Sequence, residues 1–566
     1  MMESRNLRPT HRERWILISA LLAALILWIV TIGTTYIQRF PPDPFYYLRQ
    51  LPSFYWIGIL IVCVTLVIML LRPRFNTKRN KLIDLALVTL FMLYLFGTPC
   101  FIYPTTRYLD AYEVSKFTTT VAESGQIGKS EITWYDSGIY ESSFPGAIIC
   151  FSMFTQITGT EMLDLAKFYP LLLMGIICLL IYAIASRIAP QYAIMAPVAL
   201  LGISWVQGYH LSPQAHAFIL STVFILLFSL SFNRGSSTYC LFHNLGTPTR
   251  LLVVIIWIAI VTSHPSTIVI LLLFLVFIAI IYEILRLLEK YNTISSLPIS
   301  LHSRSLYQMV LLFIVIYVSY TTFQADFILA DTAELIKETG LSLLQGGEPK
   351  LTSDIVATPS QLYVTTNYFR WFCIIGSVLL GIVATGYSLY KGNDKTIVFL
   401  FSSFLAANLG LAAFLIFTGY NVYGYDRAYM FFTIPFGIIS SIAIGLSTQR
   451  QCLRILIFQI CLVGFGIISI CLIPITYYGS DPYEFISEPQ QTMMNFHCSI
   501  SPESPSRPPR YAELRETSYN LYNLIRQESN IYTLSFQGPS NIALKENSKF
   551  YVTSGNAVYM YEILYR

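Results

Sequence analysis

The sequence predicts an all-α polytopic membrane protein with about thirteen transmembrane helices, a large external loop and a small mixed α/β external tail. The chain has 566 residues, of which 55% are hydrophobic and only 12% are charged, and its mean hydropathy is +0.58. A soluble domain carries about 25% charged residues, so this composition is typical of a chain that lies mostly in lipid. The net charge of +5 is small for this length and argues against a nucleic-acid partner.

The predicted spans are apolar segments close to the ~20 residues that cross a bilayer. A basic N-terminus precedes the first segment, which is longer than the apolar part of a signal peptide and is predicted to be retained. Around Thr262–Thr267 the pattern allows either two short spans that meet at Pro265 or one long broken helix. The predicted spans cover residues 15–37, 54–71, 83–103, 165–186, 191–207, 214–232, 251–263, 266–287, 306–323, 371–390, 396–418, 428–447 and 453–477.

Basic residues set the predicted orientation, because Lys and Arg in short loops stay on the cytoplasmic side. With these spans, every basic cluster from the N-terminal arginines to Arg450 and Arg454 falls on the same side. We therefore expect an integral, multi-pass protein of the plasma membrane with a cytoplasmic N-terminus and an external C-terminus. The large loops 104–164 and 324–370 then face the outside, and the function is expected there.

Three regions follow from this arrangement. Residues 1–82 are predicted to form a two-span hairpin with basic cytoplasmic ends, residues 83–477 a transmembrane catalytic module, and residues 478–566 an external tail. The apolar segment Ser143–Gly159 is too short to cross and is predicted to lie along the membrane as an interfacial helix. Alternating residues around Ser554-Gly555-Asn556 predict a terminal β-hairpin in the tail.

Two acids follow the third predicted span, in the segment RYLDAYE from Arg107 to Glu113. Asp110 and Glu113 are three residues apart, so a helix would place both carboxylates on one face. An ionised carboxylate beside a bilayer must face water, a partner or a polar cavity. We expect Asp110 to act as a general base on an acceptor hydroxyl and Glu113 to contact substrate. The alternative for Asp110 is an ion pair with Arg107 at a helix end.

Two histidines lie at the predicted external ends of spans, His210 in YHLSPQ and His264 in SHPST. Prolines follow both and break the helices, and broken helices at membrane depth are tolerated where they line a cavity. We expect both histidines to line a substrate pocket. The alternative is an interfacial side chain with an apolar body and a wet tip.

Two arginines also lie at the predicted external ends of spans. Arg427 follows Asp426 at the start of a span, where its planar fork of donors and the helix N-terminus suit a phosphate group. Arg370, just before another span, is a weaker example of the same pattern. The alternatives are a local Asp426–Arg427 pair that anchors the helix, or an arginine that snorkels to the interface. The ten cysteines are scattered singly without metal-ligand spacing, so neither a disulfide framework nor a metal site is indicated.

Together these features resemble the GT-C superfamily of polytopic glycosyltransferases, and among its branches the protein mannosyltransferase-like one fits best. The resemblance covers roughly residues 83–480 and is carried by RYLDAYE, YESSFPGAIICFSMFTQITG, YHLSPQAHA, TSHPST and DRAYMFF. These motifs are similar to those of uncharacterised prokaryotic, chiefly archaeal, members. The chain departs from the family pattern in having two spans before the one that leads into the acidic loop, and no DxD pair at Asp110.

The resemblance implies that the protein transfers a sugar from a polyprenyl-phosphate donor to a glycan, lipid or protein acceptor outside the membrane. Asp110 would be the catalytic base, Arg427 would hold the lipid phosphate, and Arg370 would be a second contact. No cofactor is implied with certainty, and a divalent metal is allowed but not favoured without a DxD pair. The alternatives are a polymerase or ligase of lipid-linked glycans, a transporter or flippase, and an inactive scaffold. Transport is disfavoured because the predicted spans are almost free of ionisable residues near the middle of the bilayer.

Overall fold

The computed structural model describes a largely helical chain that divides into two compact units. The first unit comprises residues 1–126 and 143–485, and the second comprises residues 127–142 and 486–566. Within them the described residues are 11–35, 46–71, 78–103, 106, 108–127, 142–190, 192–204, 209–230, 246–291, 303–326, 337, 361–391, 401–411, 425–448, 453–478, 548–554 and 557–563.

The described helices belong to the first unit. In chain order they are α1 (His11–Thr34), α2 (Tyr46–Gln50), α3 (Ser53–Leu71), α4 (Lys78–Met92), α5 (Thr98–Ile102), α6 (Leu109–Ser124), α7 (Gly146–Thr158), α8 (Met162–Ile188), α9 (Met195–Ile203), α10 (Pro213–Leu230), α11 (Thr247–Ser263), α12 (Pro265–Lys290), α13 (Ser303–Gln324), α14 (Gln361–Lys391), α15 (Phe401–Leu411), α16 (Tyr425–Thr448) and α17 (Leu453–Tyr478).

The second unit contains an antiparallel hairpin of β1 (Ser548–Ser554) and β2 (Ala557–Ile563). Its register pairs Ser554 with Ala557 at the turn and Ser548 with Ile563 at the open end. Valine and tyrosine occur in both strands and phenylalanine in β1, and these residues favour the pleated conformation. The hairpin lies where the alternating sequence predicts one.

Eight of the described helices are long and apolar enough to cross a membrane, so the chain is a multi-pass helical membrane protein. Shorter apolar stretches of helix accompany them at Gly146–Thr158, Thr247–Ser263, Phe401–Leu411, Tyr429–Ile444 and Ile460–Thr476. Apart from the segment 191–207, the other predicted spans stay predictions, as do the sides of the membrane on which the termini lie and the three-region division.

Helix α9 differs most from its prediction. The segment 191–207 is predicted to be a span, yet α9 has nine residues, Met195–Ile203, and rises about 14 Å in a bilayer core of about 30 Å. All nine residues are buried. Hydropathy alone cannot distinguish a span from a short helix that is enclosed by neighbouring helices, because both are apolar on every face.

The predicted break around Thr262–Thr267 consists of two separate helices. Helix α11 ends at Ser263 and α12 begins at Pro265, while His264 between them has an extended backbone with φ −161° and ψ 124°. Proline suits the first position of a helix because its missing N–H would have no helical partner there.

A π-helical turn, Leu93–Gly97, separates α4 from α5 just before the acidic loop. Side chains from other helices bind the carbonyls that this turn displaces: Trp28 Nε1 donates to the Leu93 carbonyl and the Tyr55 hydroxyl to the Tyr94 carbonyl, both at 3.0 Å. The Tyr94 hydroxyl in turn donates to the Ala24 carbonyl at 2.7 Å. Helices α1 and α3 therefore fix the geometry of the segment that leads toward Asp110.

Helices α6 and α7 pack together within the predicted external loop. Each ends at a glycine in the left-handed conformation, Gly125 with φ 66° and Gly159 with φ 67°, which terminates a helix without Cβ strain. Ser152 Oγ donates to the Thr118 carbonyl at 3.0 Å, and Gln156 Nε2 to the Ala122 carbonyl at 2.7 Å. Most exposed residues of α7 are apolar, including Ile157 at 79% exposure, while Gln156 and Thr158 are the exposed polar ones. An apolar exposed face is expected for a helix that lies against lipid.

Glycines allow α9 to approach α16 and α17 closely. A Cβ on Gly437 of α16 would lie 2.6 Å from the Ala196 carbonyl oxygen, and one on Gly202 would lie 3.1 Å from the Gly466 carbonyl oxygen. Both obstacles are backbone atoms, which cannot rotate away as a side chain can.

We therefore expect Gly437→Ala to lower thermal stability. Overpacking costs about 1–3 kcal/mol and outweighs the ~0.5–1 kcal/mol that alanine contributes to a helix. The measurement is the melting temperature of the purified protein in detergent. Gly464→Ala in α17 is the matched control, because its Cβ would meet nothing within 4 Å. A Gly437→Ala protein as stable as this control would contradict the close contact between α9 and α16.

Candidate functional site

Asp110 lies in the first turn of α6, and its side chain is 73% exposed. The N-terminus of a helix carries partial positive charge, which stabilises an ionised carboxylate in that turn. The helix also includes Glu113, as the three-residue spacing predicts, although the Glu113 side chain lies outside the described residues. The expected base is therefore available to solvent at the start of a helix.

His210 meets Asp110 from a segment far away in the sequence. Its Nε2 lies 3.6 Å from Asp110 Oδ2, and its side chain is only 15% exposed. The imidazole stacks on Tyr108 with ring centroids 4.9 Å apart and an interplanar angle of 25°. The next helix begins directly afterwards at Pro213, where Ser212 Oγ accepts a hydrogen bond from the Ala215 N–H at 3.2 Å. One side of the imidazole is thus held by a ring while its Nε2 faces the carboxylate.

Tyr209 connects this pair with the interior of the bundle. Its ring is fully buried and packs edge-on against Phe96 of the π-helical turn, with centroids 6.3 Å apart. Burial raises the pKa of the Tyr209 phenol well above its usual range, so the side chain is neutral at physiological pH. Tyr429 and Arg370 are also within electrostatic range of the phenol. Tyr209 therefore directly precedes the histidine that contacts Asp110, and its side chain interacts electrostatically with Arg370.

Arg370 of α14 lies at the C-terminal end of α9 and is 9% exposed. Its Nη2 donates a hydrogen bond to the Ser204 carbonyl. The Tyr429 hydroxyl donates to the neighbouring Ile203 carbonyl at 2.5 Å, and Ser469 Oγ donates to the Gly202 carbonyl. The C-terminus of a helix carries partial negative charge, so the guanidinium is favourably placed there.

The Arg370 guanidinium keeps unused donor capacity in this position. Arginine has five N–H donors in a planar fork. The Arg370 Nε is buried and has no hydrogen-bond partner among the described residues. An unsatisfied buried donor of a charged group costs free energy, and an anionic oxygen would remove that cost.

His264 occupies the junction between α11 and α12 and is 4% exposed. Its Nδ1 lies 3.0 Å from Thr267 Oγ1 and 3.1 Å from Ser266 Oγ, both in the first turn of α12. The start of α7 is close by, since a Cβ on Gly146 would lie 2.8 Å from Ser263 Oγ. The structure therefore places His264 against two hydroxyl side chains at the start of α12, and its role in a substrate pocket stays a prediction.

Asp426 and Arg427 lie in the first turn of α16, and their side chains are outside the described residues. Their predicted roles in substrate and phosphate binding stay predictions. Among the described residues, no group of three or more His, Cys, Asp or Glu side chains is arranged to hold a metal ion.

Several residues of this region are not singled out by the sequence. Tyr209 and Tyr429 belong to a residue type that is common at membrane interfaces, and Ser204 has no distinguishing sequence context, so only their contacts identify them. Asp84 is different, because an acid at the start of the apolar segment Lys81–Ile102 is a signal in itself. It is 6% exposed, and its Oδ2 accepts a hydrogen bond from the Tyr182 hydroxyl at 3.1 Å.

Comparison with known proteins gives no relative for this arrangement: no family model matches the chain, and no curated protein matches it.

The carbonyls of Gly202, Ile203 and Ser204 form a cluster at the end of α9, and their hydrogen bonds predict the effect of Tyr429→Phe. Removing the hydroxyl leaves the buried Ile203 carbonyl without this donor, which costs about 1–2 kcal/mol. We expect a lower melting temperature for Tyr429→Phe than for wild type. Tyr368→Phe is the matched control, because Tyr368 in α14 is 73% exposed. Equal melting temperatures for the two variants would show that the hydroxyl does not stabilise the end of α9.

Proposed function

We propose that the protein is a GT-C-type membrane glycosyltransferase that moves a sugar from a polyprenyl-phosphate donor to an acceptor hydroxyl on the external face of the membrane. The single observation that carries this proposal is the contact between His210 and the exposed carboxylate of Asp110, two residues from separate segments of the chain. The resemblance of the motifs to GT-C enzymes supplies the reaction class.

Asp110 would act as the general base. Its carboxylate is exposed at the start of α6, so an acceptor hydroxyl can reach it. The carboxylate takes the acceptor proton as the acceptor oxygen attacks the anomeric carbon of the donor sugar. The bond from that carbon to the phosphate oxygen breaks, and polyprenyl phosphate leaves with the bonding electrons. His210 would hold Asp110 in position and contact the sugar.

Arg370 is the arginine that the described geometry favours for the departing phosphate. Its charge is buried, its Nε is without a partner among the described residues, and Tyr209 and Tyr429 surround it with neutral phenols. A fixed cation in a site with little water stabilises developing negative charge strongly. Arg427 would add a second contact to the phosphate from the start of α16, and Asp426 would contact the uncharged part of the substrate.

Tyr209 supports a single site that contains both functions. It precedes His210 directly in the chain, and consecutive Cα atoms are about 3.8 Å apart. Its side chain lies near Arg370 while the next residue contacts Asp110. The base and the phosphate-binding arginine are thus linked by two adjacent residues of one turn, with Glu113 and His264 as further proposed substrate contacts.

The first experiment is sugar transfer from a panel of polyprenyl-phosphate sugars by the purified protein. We expect wild type to release polyprenyl phosphate and Asp110→Asn to lose about 100- to 10,000-fold in rate, the usual contribution of a general base. Asp164→Asn is the control, since Asp164 is an exposed acid in the first turn of α8. Transfer that is unaffected by Asp110→Asn would overturn the assignment of the base. Absence of turnover on every donor would favour a polymerase or ligase of lipid-linked glycans.

Donor binding provides a separate test of Arg370. We expect Arg370→Met to weaken binding of a short-chain polyprenyl phosphate by about 10- to 100-fold, because hydrogen bonds to a charged group contribute about 1.5–3 kcal/mol each. Arg187→Met is the matched control, as Arg187 is exposed in the last turn of α8. Arg370→Lys keeps the charge and distinguishes loss of phosphate binding from loss of folding. Equal affinities for wild type and a folded Arg370→Met protein would exclude Arg370 from the phosphate site.

A further inference from the structure

Two cysteines from opposite ends of the chain meet within the first unit. Cys63 lies in α3 and Cys471 in α17, and their sulfur atoms are 3.8 Å apart although 408 residues separate them in the sequence. Both are free thiols. A disulfide has an S–S length of about 2.05 Å, so the sulfurs need to approach by roughly 1.8 Å to form one.

The surroundings determine which reagents can reach this pair. Cys63 is 4% exposed and lies well inside the apolar helix Ser53–Leu71. Cys471 is half-buried, in the apolar stretch Ile460–Thr476. In an apolar environment the thiolate form is disfavoured, so water-soluble disulfide reagents should react slowly. The half-exposed Cys471 leaves the pair open to an oxidant that is dissolved in the lipid.

We propose that Cys63 and Cys471 form a reversible, redox-dependent disulfide between α3 and α17. The oxidant is of the quinone class, which dissolves in the bilayer and accepts two electrons. Each thiol loses its proton and one electron as the S–S bond forms, and the quinone takes up both protons and both electrons to become a hydroquinone. A thiol reductant reverses the reaction.

The cross-link joins parts of the fold that are otherwise held by noncovalent contacts. It closes a covalent loop of about 408 residues between α3 and α17. Such a loop restricts the unfolded chain and raises stability. Ser469, two residues before Cys471, donates to the Gly202 carbonyl, so the cross-linked α17 is one of the three helices that donate hydrogen bonds to the carbonyls at the end of α9. This inference does not depend on the proposed glycosyltransferase activity.

The test uses the full-length protein in lipid vesicles, treated with a short-chain benzoquinone and then with a thiol-alkylating reagent. Mass spectrometry of the digested protein should show a peptide pair joined through Cys63 and Cys471, and the thiol reductant should remove it. Alkylation of Cys471 should fall on oxidation in wild type and stay unchanged in Cys63→Ser. The melting temperature should rise on oxidation in wild type alone.

Two controls make a negative result informative. Cys178→Ser removes a buried free thiol of α8 and should leave the cross-link intact. Cys150 is exposed on α7, and its alkylation shows that the reagent reaches the membrane surface. Unchanged Cys471 alkylation after quinone treatment of wild type, or the same fall in Cys63→Ser, would overturn the proposal.

Discussion

Backbone carbonyls at the end of α9 impose the constraint on which the rest of the first unit depends. A helix that ends inside an apolar protein leaves its last carbonyls without helical partners and without water. Here side chains donate to these carbonyls. Ser204 donates to the Leu201 carbonyl at 2.8 Å and Ser469 to the Gly202 carbonyl. Tyr429 donates to the Ile203 carbonyl and Arg370 to the Ser204 carbonyl. Three of these four donors come from α14, α16 and α17, so the carbonyls at the end of one short helix are contacted by three long helices.

The same constraint determines where charge can be buried. A guanidinium in an apolar interior is costly unless it has partners, and the negative end of α9 provides one. The chain then continues through Tyr209, whose ring packs against Phe96 of the π-helical turn, to His210 and its contact with Asp110. The arrangement of the candidate site therefore depends on the hydrogen bonds that side chains donate to two sets of backbone carbonyls, those at the buried end of α9 and those of the π-helical turn.

The sequence predicts the helical membrane class, the break at His264, the helix that carries Asp110 and the terminal hairpin, because each depends on local composition or on turn residues. It does not predict that His210 meets Asp110, because that contact depends on the packing of segments far apart in the chain. Between the two arginines, sequence reasoning prefers Arg427, which has a helix start and an adjacent acid. The burial of its side chain instead favours Arg370 for the proposed phosphate contact. Burial depends on how the helices pack, so the sequence does not predict it. The nine-residue α9 is mistaken for a span for the same reason, since its apolar composition reflects enclosure by other helices.

Arginine at position 370 can serve both the fold and the proposed reaction, and lysine could not do so equally. The planar fork lets Nη2 bond the Ser204 carbonyl while Nε remains unpaired among the described residues. A lysine concentrates its donors on one nitrogen, so binding the carbonyl would turn them toward the end of α9. The structural contact orients the guanidinium before any anion arrives, which lowers the cost of ordering it on binding. In the proposed reaction, the hydrogen bond that satisfies the end of α9 would thus also orient the arginine for the phosphate.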